Sequence, residues 1–67
     1  MASSGLYTVA NERLLTRREV GEFLKIPPAT LAAWAYKGLG PPYLRVGRHA
    51  LYRESELLEW LETRRAN

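Results

Sequence analysis

The 67-residue chain has no cysteine, no aspartate and a single histidine, His49. Without cysteine there is no disulfide to staple a small core. One histidine and no cysteine or aspartate leave too few ligands for a zinc site. The same scarcity removes a thiol nucleophile and a Ser-His-Asp set, and no glycine-rich loop is present to cradle phosphate. The seven acids are all glutamates, and those on the predicted helices fall on solvent-facing positions. The expectation is therefore no enzyme, no metal and no cofactor. No apolar run approaches the roughly 20 residues that span a membrane. The start, Met1-Ala2-Ser3-Ser4-Gly5, lacks the basic and apolar stretches of a signal peptide. A soluble cytoplasmic protein with no membrane partner is expected. The length fits one domain.

What is present is positive charge in one place. Ten Lys+Arg against seven glutamates give only +3 overall. Residues 1–22 are neutral, with Arg13, Arg17 and Arg18 against Glu12, Glu19 and Glu22. The last segment, 54–67, is net acidic. Between them, residues 23–53 hold Lys25, Lys37, Arg45, Arg48 and Arg53 and no acid. A one-signed segment in a small domain points to a polyanionic partner, nucleic acid above all.

Local patterns place that segment in a fold. Residues 1–13 read as a flexible arm, with room for a short strand or helix turn at Leu6 to Val9. The domain proper is expected over 14–67. Thr16-Arg17-Arg18-Glu19 matches a capping box. The helix behind it puts Val20, Phe23 and Leu24 on one face. Gly21 inside it costs roughly 1 kcal/mol relative to alanine, which close approach by a neighbouring helix would explain. Ile26-Pro27-Pro28 stops this helix, and Pro28 can open the next. That second helix, Ala29 to Lys37, buries Leu31, Trp34 and Ala35. Its other face carries Thr30, Ala33 and Lys37, flanked by Ala32 and Tyr36. Gly38 ends it. A turn of about three residues between the helices has the spacing of a helix-turn-helix.

Leu39-Gly40-Pro41-Pro42 is a rigid connector. Tyr43-Leu44-Arg45-Val46 and Ala50-Leu51-Tyr52-Arg53 are strands around Gly47-Arg48-His49, a hairpin with cations at its tip. With Tyr52 facing inward, strand alternation turns Leu51 outward. A closing helix from Ser55 to Arg64 buries Leu57, Trp60, Leu61 and Leu58. The expected fold is α+β, mostly helical, a small winged helix-turn-helix in the order α-α-β-β-α.

This ordered set of pieces resembles the phage excisionases and the related mercury-regulator-like (MerR-like) winged-helix domains. The resemblance spans Leu14 to Arg65. It is carried by Leu15-Thr16-Arg17-Arg18-Glu19-Val20, Ile26-Pro27-Pro28-Ala29-Thr30-Leu31 with Trp34, Gly38-Leu39-Gly40-Pro41-Pro42, Arg45-Val46-Gly47-Arg48, and Tyr52-Arg53-Glu54-Ser55-Glu56-Leu57-Leu58-Glu59-Trp60-Leu61. It implies double-stranded DNA as partner, with the second helix in the major groove and the wing in the adjacent minor groove. It further implies neighbouring copies bound cooperatively on tandem sites, DNA bending, and a phage integrase turned toward excision. Transcriptional regulation by the same module is the alternative. A protein-interaction module built on the acidic closing helix is a second.

Two departures affect the reading helix. Pro27 stands where the family usually has a capping serine, and Pro28 where a long polar side chain is common. Ala32 and Ala33 replace bulkier or polar residues, so direct base readout is expected to be sparse. Leu51 replaces a common arginine. The candidate DNA-binding residues are then Pro28, Ala29, Thr30, Ala33, Tyr36 and Lys37 on the second helix. Arg45, Arg48 and His49, a turn residue, supply the wing. Arg17 and Arg18 lie at the start of the first helix, where positive charge opposes the helix dipole and a phosphate contact would account for it. Trp34 and Trp60 are expected in the core.

Overall fold

The computed structural model describes residues 13–66. The element order is β1 (Leu14–Thr16), α1 (Arg17–Leu24), α2 (Pro28–Tyr36), β2 (Leu44–Val46), β3 (His49–Arg53) and α3 (Glu54–Glu62). The expected arm falls almost wholly outside the described residues. The α+β helix-turn-helix is as expected, with one addition. Leu14–Thr16 forms a strand, so the hairpin becomes part of a three-stranded antiparallel sheet in the order β1-β3-β2.

The sheet explains why the core can be so small. Leu15 pairs with Tyr52 across β1 and β3. Both side chains point inward and are buried with Val20 of α1, Leu31 of α2 and Leu57 of α3. Every element except β2 thus gives one large apolar group to a single cluster. Leu24, Ile26, Trp34, Tyr43, Ala50 and Trp60 pack around it. Leu51, on the opposite face, pairs with Thr16 on one side and Leu44 on the other.

Helix α1 starts with the capping box. The Glu19 amide donates to Thr16 Oγ1 at 3.1 Å, and the Thr16 amide donates to Glu19 Oε1 at 2.8 Å. The helix ends at Lys25, whose φ of 64° is left-handed. The Lys25 and Ile26 amides both donate to the Gly21 carbonyl, Ile26 at 2.9 Å. This tight reversal gives Gly21 its reason. A Cβ there would lie 2.8 Å from the Ile26 carbonyl oxygen and 3.4 Å from the Pro28 nitrogen. The close neighbour is the turn itself and the start of α2.

Helix α2 ends differently. The Gly38 amide donates to the Ala35 carbonyl at 3.1 Å and the Leu39 amide to Trp34 at 2.7 Å, the paired bonds of a Schellman motif. Gly38 supplies the positive φ, 75°. The chain then folds over Trp34, whose ring would meet a Cβ on Gly40 at 3.0 Å. Trp34 lies 6.0 Å from Trp60, tying α2 to α3.

Two burial expectations fail. Phe23 is 56% exposed and Leu58 48% exposed. Helix α1 packs mainly on α2 and the sheet, and α3 packs on β3. The flanks of α1 and α3 that carry Phe23 and Leu58 are therefore separated by a groove of about 200 Å³. At the start of α3, Arg13 lies 3.8 Å from Glu54. Among the described residues no helix is long and apolar enough to cross a membrane.

Candidate nucleic-acid interface

The outward face of α2 is built almost without side chains. Ala29, Ala32 and Ala33 are exposed and Thr30 is half-buried. The one large group is Tyr36, 93% exposed. It does not pack under the wing, so its ring and hydroxyl are open to a partner. Lys37 follows it, exposed, with its backbone amide given to the Ala33 and Trp34 carbonyls.

The start of α2 has few donors. Pro27 and Pro28 have no amide hydrogen. The Thr30 and Leu31 amides both turn back to the Pro27 carbonyl, at 2.9 and 3.4 Å. No side chain caps the helix. Ala29 alone is left to supply a first-turn amide to an outside acceptor. A helix N-terminus normally favours phosphate through several such donors, and here that contribution is reduced to one.

The wing is a two-residue turn, Gly47-Arg48, closed by the Val46 and His49 pair. Gly47 has a φ of 62° and Arg48 does not share it, the pattern of a type II′ hairpin turn. His49 is therefore the first residue of β3 rather than part of the turn. Arg48 stands exposed at the tip, and His49 is exposed beside it. Arg45 sits opposite Ala50 on the inward-facing side of the hairpin, yet is exposed because the wing extends past the core.

The two arginines at the start of α1 part company. Arg18 is exposed. Arg17 is half-buried, with Nε donating to the Tyr52 hydroxyl at 3.1 Å. Its guanidinium carbon lies 5.3 Å from the Tyr43 ring centre and 5.9 Å from that of Tyr52, which places a cation against two ring faces. Nη2 is buried and makes no hydrogen bond. Arg17 therefore joins α1 to the base of the wing.

One basic residue of the turn, Lys25, stood outside the candidates. It is exposed between α1 and α2 and shares a shallow depression with Arg18, Glu22 and Pro28. Its signal in the sequence is an absence: a helix reversed within three residues, just before two prolines, with no glycine at the reversal.

The groove between α1 and α3 carries two carboxylates, Glu19 and Glu54, which are already engaged by the capping box and by Arg13. The acid-free stretch 23–53 maps onto α2, the connector and the wing. The model of the helix-turn-helix domain family matches residues 14–65. The chain belongs to that family. It is a small DNA-binding helix-turn-helix protein, and membership implies a non-enzymatic role on double-stranded DNA. No curated protein and no solved structure matches the chain.

Proposed function

We propose that this helix-turn-helix protein is an excisionase-type architectural factor. Helix α2 lies in the major groove and the wing in the adjacent minor groove. Several copies occupy tandem sites, bend the DNA and direct a phage integrase toward excision, in the cytoplasm of the bacterial host. The observation that carries this reading is the alanine face of α2 together with an arginine-tipped hairpin turn. A helix with so few long side chains makes few base-edge contacts. Selectivity must then come from DNA shape and deformability, where an arginine in a narrow minor groove gains from the enhanced negative potential. One such module buries little surface, which makes several copies on adjacent sites physically reasonable. The helix-turn-helix family is also found in excisionase-like proteins.

Binding is measured by gel shift across a salt series. Affinity falls steeply with salt as counterions leave the phosphates. Arg48→Ala lowers both the affinity and the salt slope, the slope by about one contact. Widening the minor groove at the wing weakens binding more than swapping single bases in the major groove. The opposite ranking refutes shape readout. An excision assay with a cognate integrase separates excision from regulation. No stimulation, with repression of a nearby promoter retained, assigns the protein to transcriptional control instead.

A further inference from the structure

Tyr43 follows Pro41-Pro42 and enters the sheet just before β2. Continuing the β2–β3 register sets it across from Tyr52, and the two rings lie 5.6 Å apart at 36°. Tyr52 is fully buried, so the inner end of the Tyr43 ring is fixed by the core. Arg17, which bonds to Tyr52, lies 5.3 Å from the Tyr43 ring centre. On the wing, Arg45 lies 5.8 Å from the same centre. Two guanidiniums from distant parts of the chain thus meet one ring. Arg17 is bound on one side by a hydrogen bond and two rings. Arg45 is exposed and, among the described residues, has no carboxylate within ion-pairing distance.

We infer that Tyr43 is a positioning residue that holds Arg45 in place for a DNA contact at the wing. The inference rests on the DNA-binding reading of the wing. An exposed arginine on a free hairpin explores many rotamers, and fixing it costs conformational entropy when it binds. A ring that already holds the guanidinium removes part of that cost before DNA arrives. Tyr43 itself does not touch DNA. Arg17 completes the device by occupying the ring and fixing its tilt from the α1 side. The stack accounts for a cation kept at the first position of α1, where the helix dipole opposes it.

The test is a double-mutant cycle in the full chain. Its probes are two short DNA duplexes, one with a central A-tract and one of mixed sequence, read by fluorescence anisotropy. Tyr43→Leu weakens A-tract binding about threefold, the size of an exposed cation–π contact, while Tyr43→Phe retains wild-type affinity. Arg45→Ala weakens binding more, and adding Tyr43→Leu to it changes nothing further. Equal losses from Tyr43→Leu with and without Arg45 reduce Tyr43 to a packing residue and overturn the inference. Should Tyr43→Leu not fold, the wild type still decides. Ring-current shifts move the Arg45 δ-proton resonances upfield in the free protein, and random-coil positions overturn the inference. Failure of the underlying reading looks different: neither duplex binds in a salt-dependent way, or Arg48→Ala changes nothing.

Discussion

Helix α1 begins with two reciprocal side-chain bonds, between Thr16 and Glu19. Helix α2, three residues on, begins with two prolines and no side-chain cap. Their ends are reversed. The first stops at a lysine in left-handed geometry, the second at a glycine suited to it. The support helix fixes its start with its own side chains and tolerates strain at its end. Helix α2 leaves its start bare and is held from behind, by Leu31 and Trp34 inside and by the Gly38 turn. Stabilising devices are kept off the face proposed to meet DNA. That face can therefore change at little cost to stability, whereas the cap of α1 and the Gly21 reversal cannot.

The largest test of this contrast is at the joint. Gly21→Ala puts a Cβ 2.8 Å from a backbone carbonyl in the reversal, so the turn must move. A loss of about 2 kcal/mol is expected, although alanine favours a helix. Urea denaturation reads it as a lower midpoint at constant slope; an unchanged midpoint shows that the turn gives way freely. Thr16→Ala comes next. It removes the acceptor for the Glu19 amide and costs about 1 kcal/mol. The matching change at the start of α2, Pro27→Ala, removes no bond and costs only the added freedom of the unfolded chain, about 0.5 kcal/mol. Equal effects at both sites would erase the contrast.

Lys25→Gly moves the other way. It relieves a left-handed lysine and raises stability by about 1 kcal/mol. Its effect on DNA affinity, by the same gel shift, says why lysine stands there. Weaker binding by a more stable protein makes Lys25 a phosphate contact bought with backbone strain. Unchanged binding leaves only the strain.

The same contrast marks what the sequence could reveal. The capping box, the Gly38 stop and the two-strand wing are local: each is set by residues within a few positions, and each appears where its chemistry predicts. Strand β1 was not legible, because three residues beside a capping box carry no period of their own and become a strand only by pairing with β3, 35 or more residues on. Phe23 and Leu58 fall on apolar stripes, but a stripe does not say where the neighbouring helix stops. Arg17 and Arg18 look alike in sequence. Only the fold sets one against Tyr43 and Tyr52 and leaves the other in solvent. The basic segment was visible as charge, and its assembly into one helix face and one wing followed from the order of the elements.

The smallest stability effect belongs to Tyr36, which is almost wholly exposed on α2. Tyr36→Ala leaves the thermal midpoint within the change of about 0.5 kcal/mol usual for a surface site. DNA affinity falls all the same, because the tyrosine is the only large group the alanine face presents. Tyr36→Phe divides the cause. If the hydroxyl donates to a phosphate, phenylalanine binds as weakly as alanine and the salt slope is unchanged, since no charge has been removed. If the ring packs on the groove wall, phenylalanine binds like the wild type. A Tyr36→Ala protein that loses stability but keeps its affinity would place Tyr36 with the supporting side chains and move the division between the two helices.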